Sequence, residues 1–199
     1  RDSVEARHQY AEYLFGVGRI AEGLENAEHA QSLDPLSGIR FAIVAGGRWL
    51  NDDCERAIEA GELALERTPS LRVVEVIIVG CYFHLGDLEA STDAVIRFWS
   101  ESRQDSLNEL AVQRAVEAED ASLLPGGEWS EGLSADVWMA VGDTVTALDQ
   151  LERASFNPPY LVPYHLWNPA VDPLRNDPRF LAIMKRLNLD GREPLRTGR

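Results

Sequence analysis

The histidines and their acidic neighbours are the residues best suited to bind a metal ion. Glu25 and His29 stand four positions apart, so one helix face would present both as ligands. A stable metal site needs further ligands, and the other histidines (His8, His84 and His165) are scattered along the chain. We interpret Glu25 and His29 as a solvated pair and expect neither a metal nor any other cofactor.

Patterns typical of catalysis are equally weak. The sequence has no glycine-rich phosphate loop, no nucleophile elbow and no zinc-type cysteine spacing. Gly46 and Gly47 lie inside a helical segment, where they favour close helix packing or a kink over a phosphate cradle. An enzyme would need a cluster of titratable groups with perturbed pKa values in a closed pocket. We therefore expect no catalytic residues and predict that the chain is not an enzyme.

The charge balance and the cysteines limit the partners and the compartment. The 33 acidic and 19 basic residues give a net charge of −14, which disfavours nucleic acid and anionic membranes as partners. Cys54 and Cys81 fit no metal or redox spacing, and they suggest reduced, partly buried thiols of a cytoplasmic protein. We find no signal peptide and no membrane-spanning run, and the start Arg-Asp-Ser suggests a fragment of a longer protein.

A repeat of 34 residues organises the first half of the sequence. Three segments align without gaps: 10–35, 44–69 and 78–103. Gly18, Asp52 and Gly86 share a column where a left-handed turn would close a helix. Pro35 and Pro69 share another column and would end each unit. Each unit therefore predicts a helix, a tight turn and a second helix, and period-two alternation typical of strands is missing.

Each predicted pair has a cap and a packing face. Asp53 and Asp87 follow the turn, where a side-chain oxygen can cap the second helix. Small residues such as Ala27, Gly61 and Ala64 allow neighbouring helices to approach closely. A pair of this size cannot bury its apolar face alone, so such units stack into arrays.

The 34-residue spacing, the turn glycines, the small residues and the closing prolines resemble the tetratricopeptide repeat. The resemblance covers residues 4–103 and implies an all-α fold, an α-solenoid of helix-turn-helix repeats. The second unit departs from the pattern, with Asp52 in place of glycine and Arg48 where an aromatic or large apolar residue is expected.

After residue 103 the spacing changes, since the next turn glycine, Gly142, comes 56 residues after Gly86. We divide the chain into three repeats (1–103), an inserted helix and loop (104–132), a fourth helix pair (133–155), an extended segment rich in proline and aromatic residues (156–176), and a C-terminal capping helix with its tail (177–199).

Local signals place the later helix starts. Ser106 and Glu109 have the spacing of a capping box for the inserted helix. Asp143 and Asp177 are the expected caps of the fourth pair and of the capping helix. The final residues, 191–199, are expected to be frayed.

The segments GDTVTALDQLERA and DPLRNDPRFLAIMKRLNL lie within the last third of the chain. They resemble the closing region of a bacterial family that joins tetratricopeptide repeats to a nucleotidyl cyclase, a winged-helix or a protein kinase domain. The resemblance implies a regulatory C-terminal region of a larger bacterial protein.

A column of large apolar residues is the best candidate for a binding site. Phe15, Trp49 and Phe83 recur at 34-residue spacing, and Met139 has the same place in the fourth pair. In the resembled fold this column faces a concave groove, where aromatic residues bind a peptide or a helix. Either the column is open to a partner, or a neighbouring helix, a second copy or the chain itself covers it.

The extended segment offers one such cover, because Tyr160, Tyr164 or Trp167 is able to fill the groove. The leading prediction is a protein-interaction module that binds a protein, a peptide or another domain of its parent chain. The alternative is a structural module that makes the parent a homodimer.

Overall fold

The protein is described by a computed structural model over residues 3–99, 103–124, 135–154 and 166–197. Every regular element in these ranges is helical, which confirms the all-α prediction. The α-helices are α1 (Val4–Gly16), α2 (Ile20–Leu33), α3 (Gly38–Leu50), α4 (Cys54–Arg67), α5 (Arg72–His84), α6 (Leu88–Trp99), α7 (Arg103–Glu117), α8 (Ala135–Ala140), α9 (Thr144–Ala154) and α10 (Pro178–Arg186). Two 3₁₀ helices span Ala121–Leu123 and Pro169–Leu174.

The helices pack in the order of the sequence. α1 pairs with α2, α3 with α4 and α5 with α6, as the three repeats predict. The second helix of each pair also packs on the first helix of the next, and α1 touches α3 as α3 touches α5. The first helices of successive pairs therefore contact one another as well as their own partners.

The turn column has the backbone conformation that the repeat predicts. Gly18, Asp52 and Gly86 have φ angles of +80°, +68° and +74°, in the left-handed region. Asp52 adopts this conformation despite its Cβ atom, and its Oδ1 lies 2.9 Å from Nε2 of His84 on α5. The degenerate second turn is therefore tied to the next first helix by a side-chain contact.

The helix assigned to an insertion ends in a left-handed turn like those of the repeat. Glu119 has a φ of +50°, and it follows Gly86 by 33 residues. The amide of Asp120 donates to the carbonyl of Ala115 (2.9 Å), as the amide of Arg19 donates to that of Leu14 (2.9 Å). α7 also packs on α6, as α3 packs on α2 and α5 on α4, and the assignment of residues 104–132 to an inserted helix and loop stays a prediction.

The predicted caps are correct at most of the helix starts. Oδ1 of Asp87 accepts from the amide of Ala90, and Oδ1 of Asp143 accepts from that of Thr146, each at 3.0 Å. Asp177 likewise accepts from the amide of Arg179 (2.7 Å).

Two cap predictions are wrong. The side chain of Asp53 makes no capping bond, and its carboxylate lies 3.6 Å from Arg56 instead. Ser106 is not a cap, because α7 begins three residues earlier at Arg103.

The larger hydrophobic core joins the two ends of the described chain. It combines buried side chains of α1–α5 with buried side chains between residues 135 and 189. A smaller cluster lies among α3–α6 and includes Ala64, Val74 and Ile78. The C-terminal region therefore packs against the first pairs.

The tail is bound to the body of the protein, contrary to the expectation of a frayed end. The amide of Leu195 donates to the carbonyl of Gly18, and the amide of Ala21 donates to the carbonyl of Leu195, each at 2.8 Å. Thr197 forms two hydrogen bonds with the side chain of Asn51. Residues 191–197 thus cross the turns of the first two pairs.

Candidate interaction site

The predicted apolar column lies mostly in the interior. Phe15 and Trp49 are buried, and each ring lies over a glycine of the next first helix. A Cβ atom built on Gly47 would come within 2.6 Å of Cζ of Phe15, and one on Gly80 within 2.7 Å of Cζ2 of Trp49. These two members of the column hold neighbouring helices together, and their burial leaves them no open surface.

The other two members are half-buried. Met139 packs against the same core as Phe15 and Trp49, together with its neighbour Trp138. Phe83 is at the end of α5 and keeps part of its surface accessible. The column therefore does not form one continuous exposed stripe.

Part of the Pro/aromatic segment does fold back on the repeats. Trp167 is fully buried, and its Nε1 donates to the carbonyl of Gly16 (3.3 Å). Its ring lies over the first turn, where a Cβ on Gly18 would approach it to 3.2 Å. Tyr160 and Tyr164 fall outside the described residues.

An exposed aromatic pair lies on the outer face of α1. Tyr10 is 46% exposed and Tyr13 is 59% exposed. Their rings are stacked, with centroids 6.2 Å apart and an interplanar angle of 15°. Two adjacent tyrosines at helical spacing provide a large amphipathic surface, of the kind that carries binding energy in protein interfaces.

The repeat shows what covers this face elsewhere in the molecule. The residues 34 and 68 positions after Tyr10 are Val44 and Ile78, which are 1% and 0% exposed. α2 packs on α3 and α4 packs on α5, so a second helix covers the corresponding faces. On α1 the same face is open in the part of the chain that the structure describes.

The contact between α4 and α5 shows how tightly such a helix fits. A Cβ atom on Gly61 of α4 would lie 2.9 Å from Cγ1 of Ile78 and 3.2 Å from Cγ1 of Val74. A small residue therefore stands opposite the position that corresponds to Tyr10. A helix docked on α1 also needs a small residue there, because tyrosine is larger than isoleucine.

Charged groups stand at both ends of α1, and Arg19 at its C-terminal end lies next to the aromatic pair. Arg19 lies close to both tyrosines, and its hydrogen bonds with Glu22 raise the pKa of the guanidinium. At the other end, Glu5 accepts from Gln9 (3.1 Å) and from Arg40 (3.0 Å). An apolar centre with a polar rim is the usual arrangement of a protein–protein interface.

The thiols of Cys54 and Cys81 lie in the interior of the described ranges. Cys54 and Cys81 are both free and buried, and burial together with a hydrogen bond to Cys54 raises the pKa of the Cys81 thiol. A thiol in such surroundings is a weak nucleophile at neutral pH. Within those ranges no group of three or more His, Cys, Asp and Glu side chains is arranged to hold a metal ion.

The tyrosine site has only an indirect signal in the sequence. Tyr10 belongs to the same repeat column as Val44 and Ile78, so a large residue there indicates a packing face. The sequence alone does not tell whether a helix covers this face of α1, because coverage depends on how the whole molecule packs.

No helix among the described residues combines the length and the apolar character needed to cross a membrane. Comparisons with known proteins give no relative: no family model matches, and no curated protein or solved structure shows significant similarity.

Proposed function

We propose that this chain is a protein-interaction module of tetratricopeptide-type helix pairs, which docks an amphipathic helix of a partner protein on the outer face of α1. The observation that carries the proposal is the exposure of Tyr10 and Tyr13 at positions that helices cover on α3 and α5. Helix docking on an apolar face is a common mode of recognition, with large aromatic residues as its anchors.

The molecule's own helix contacts suggest the chemistry of the partner helix. It carries glycine or alanine opposite Tyr10, as Gly61 stands opposite Ile78. Apolar residues at i, i+3, i+4 and i+7 around this small residue cover the two rings. A polar residue of the partner helix meets Arg19 and Glu22 beside the rings.

The predicted column has a different role in this proposal. Phe15 and Trp49 stabilise the stacking of the first helices, and Met139 fixes α8 against the same core. Phe83 keeps accessible surface and remains a candidate contact for a partner on the side of the predicted groove.

We infer that the module is a regulatory region of a bacterial protein that also carries a catalytic or DNA-binding domain. The support is the resemblance of the last third of the chain to such regulators. Its free buried thiols suit a reducing compartment, which favours the cytoplasm.

Homodimerisation through α1 is the second candidate. Stacked tyrosines on one exposed helix face are self-complementary, because a twofold axis brings the same face of a second copy onto them. The module then joins two copies of the parent protein.

A binding experiment with a helix from the chain itself tests the leading proposal. The probe is a peptide of residues 54–67 with Cys54→Ser, because α4 covers the counterpart of Tyr10 on α5. We expect chemical shift changes on α1 in NMR spectra of the wild type, and none in the variant Tyr10→Glu/Tyr13→Glu. The matched control is Leu181→Glu, which changes an exposed apolar residue of α10.

Light scattering after size-exclusion chromatography separates the two candidates. A monomeric wild type that binds the peptide supports helix docking. A dimeric wild type with a folded, monomeric tyrosine variant supports homodimerisation. A monomer that leaves the α1 resonances unchanged at saturating peptide contradicts both.

A further inference from the structure

The tail is anchored by one buried arginine. The side chain of Arg196 is 2% exposed, and its guanidinium has acceptors on every side. Nε donates to the carbonyl of Leu50, Nη2 to the carbonyl of Trp167 and Nη1 to Oδ2 of Asp172, each at 2.6 Å. A buried charge is stable only when it is paired and hydrogen-bonded in this way.

The acceptors are held by contacts that do not involve Arg196. Asp172 also accepts from Arg175, with Nη2 at 2.9 Å from its Oδ1. Arg175 in turn lies over the rings of Trp167 (5.3 Å) and Phe180 (5.4 Å) and donates to the carbonyl of Leu166. The arginine cradle, defined as Leu50, Trp167 and Asp172, is therefore built into the body of the protein.

The residues beside Arg196 bind mainly through their backbone. Leu195 exchanges two hydrogen bonds with the backbone of Gly18 and Ala21, while its side chain is exposed. The amide of Thr197 donates to Oδ1 of Asn51 (2.8 Å), and Nδ2 of Asn51 donates to Oγ1 of Thr197 (2.6 Å). The tail is thus held as peptide ligands are held in extended recognition, by main-chain bonds and one anchor side chain.

We propose that the arginine cradle is a binding site for extended peptides with the pattern apolar–Arg–Thr/Ser, and that residues 195–197 are an exchangeable ligand of it in cis. Release of the tail takes one buried side chain, that of Arg196, out of the body of the protein. The side chains of Leu195 and Thr197 are already exposed when the tail is bound. Release also takes the arginine donor away from the carbonyls of Leu50 and Trp167, and it leaves Asp172 with Arg175 as its arginine partner. The empty site therefore selects a guanidinium over other groups.

Shape and charge both favour an arginine peptide. Lysine is a point charge and cannot donate to three acceptors that surround a planar group. The net charge of −14 attracts basic segments and raises their rate of association. A partner protein with such a segment displaces the tail from the turns of the first two pairs.

A labelled peptide measures this exchange on the full chain. The probe is residues 191–198 with a fluorophore at the N-terminus, and the readout is fluorescence anisotropy. Arg196→Ala empties the cradle and should bind the probe at least tenfold more tightly than the wild type, whose own tail competes. A probe with lysine in place of the arginine should bind at least tenfold more weakly.

The control separates the cradle from general charge attraction. In the Arg196→Ala background, Asp172→Asn should abolish binding, and Asp190→Asn, which removes an exposed carboxylate, should leave it unchanged. Equal probe binding by wild type and Arg196→Ala, or binding that survives Asp172→Asn, overturns the proposal.

The wild type gives a second readout that needs no variant. Excess unlabelled peptide should speed hydrogen exchange at the amide of the chain's own Leu195, because the displaced tail loses its bond to the carbonyl of Gly18. Unchanged exchange at saturating peptide contradicts an exchangeable tail. The cradle shares no side chain with the tyrosine face of α1, so either proposal can fail without the other.

Discussion

The indole of Trp49 lies directly over Gly80, so that a Cβ atom at residue 80 would come within 2.7 Å of the ring. This contact joins two first helices, α3 and α5. It explains why a large aromatic residue of the repeat column is buried: the next helix offers it a residue without a side chain.

Gly80→Ala should therefore destabilise the protein by about 1–3 kcal/mol, as overpacking of a core does. Urea denaturation followed by circular dichroism measures the change. Gly16→Ala is the control, because a Cβ atom at residue 16 meets nothing within 4 Å. This variant should be as stable as the wild type or up to about 1 kcal/mol more stable. Equal stability of both variants would show that the Trp49 ring moves aside without cost.

Glu119→Gly should stabilise the protein by about 1 kcal/mol, because glutamate pays a steric cost at a φ of +50° that glycine avoids. Thermal or urea unfolding measures the gain. Glu119→Ala keeps the Cβ atom and should give no such gain. Equal effects of the two substitutions would contradict a left-handed turn at the end of α7.

Asp172 should contribute to stability above its ordinary pKa of 3.8 and lose that contribution at lower pH. Burial alone would raise its pKa, but hydrogen bonds from Arg196 and Arg175 lower it. A group with a lowered pKa in the folded state binds fewer protons than in the unfolded state, so its stabilisation is lost as the pH falls through the folded pKa.

Asp172→Asn should therefore be less stable than the wild type at pH 7, and the difference should shrink below pH 3.8. Urea titrations from pH 7 to pH 3 measure it, with the exposed Asp149→Asn as the control. A difference that does not depend on pH would mean that the carboxylate is not bonded to the arginines.

The thiols of Cys54 and Cys81 should react slowly with iodoacetamide in the native protein at pH 8. Both are buried, and burial is the main cause of the raised pKa of Cys81. Alkylation then needs a local opening, and an opening cost of about 3 kcal/mol makes it roughly a hundredfold slower than in urea. Mass spectrometry of timed samples measures both rates, and equal rates would place the thiols at the surface.

The sequence predicted the elements that depend on local signals. The helix pairs follow from the 34-residue period, and the turns follow from Gly18, Gly86 and Gly142, which all have positive φ angles. The turn after α7 was missed because Glu119 occupies it, and glutamate carries no sequence signal for a left-handed conformation.

The features missed in the sequence depend on contacts between distant residues. The column of Phe15 and Trp49 was placed correctly in the repeat, but its burial depends on glycines of the following helix. The bond from Arg196 to Leu50 spans 146 residues, and the local composition of the tail suggests a frayed end. The tyrosine face of α1 required the structure, because exposure is a property of the whole packing.

The bound tail also changes where the molecule should open first. Helical repeat proteins ordinarily fray from their terminal pairs, since each of these has only one neighbour. Here the tail fastens the turn at Gly18 to Leu195 and the turn at Asn51 to Thr197, so the last residues protect the first ones. We therefore expect the first local opening in the middle of the sequence, around α6 and α7. Force applied to the chain ends should load the bonds of the tail before it reaches the helices.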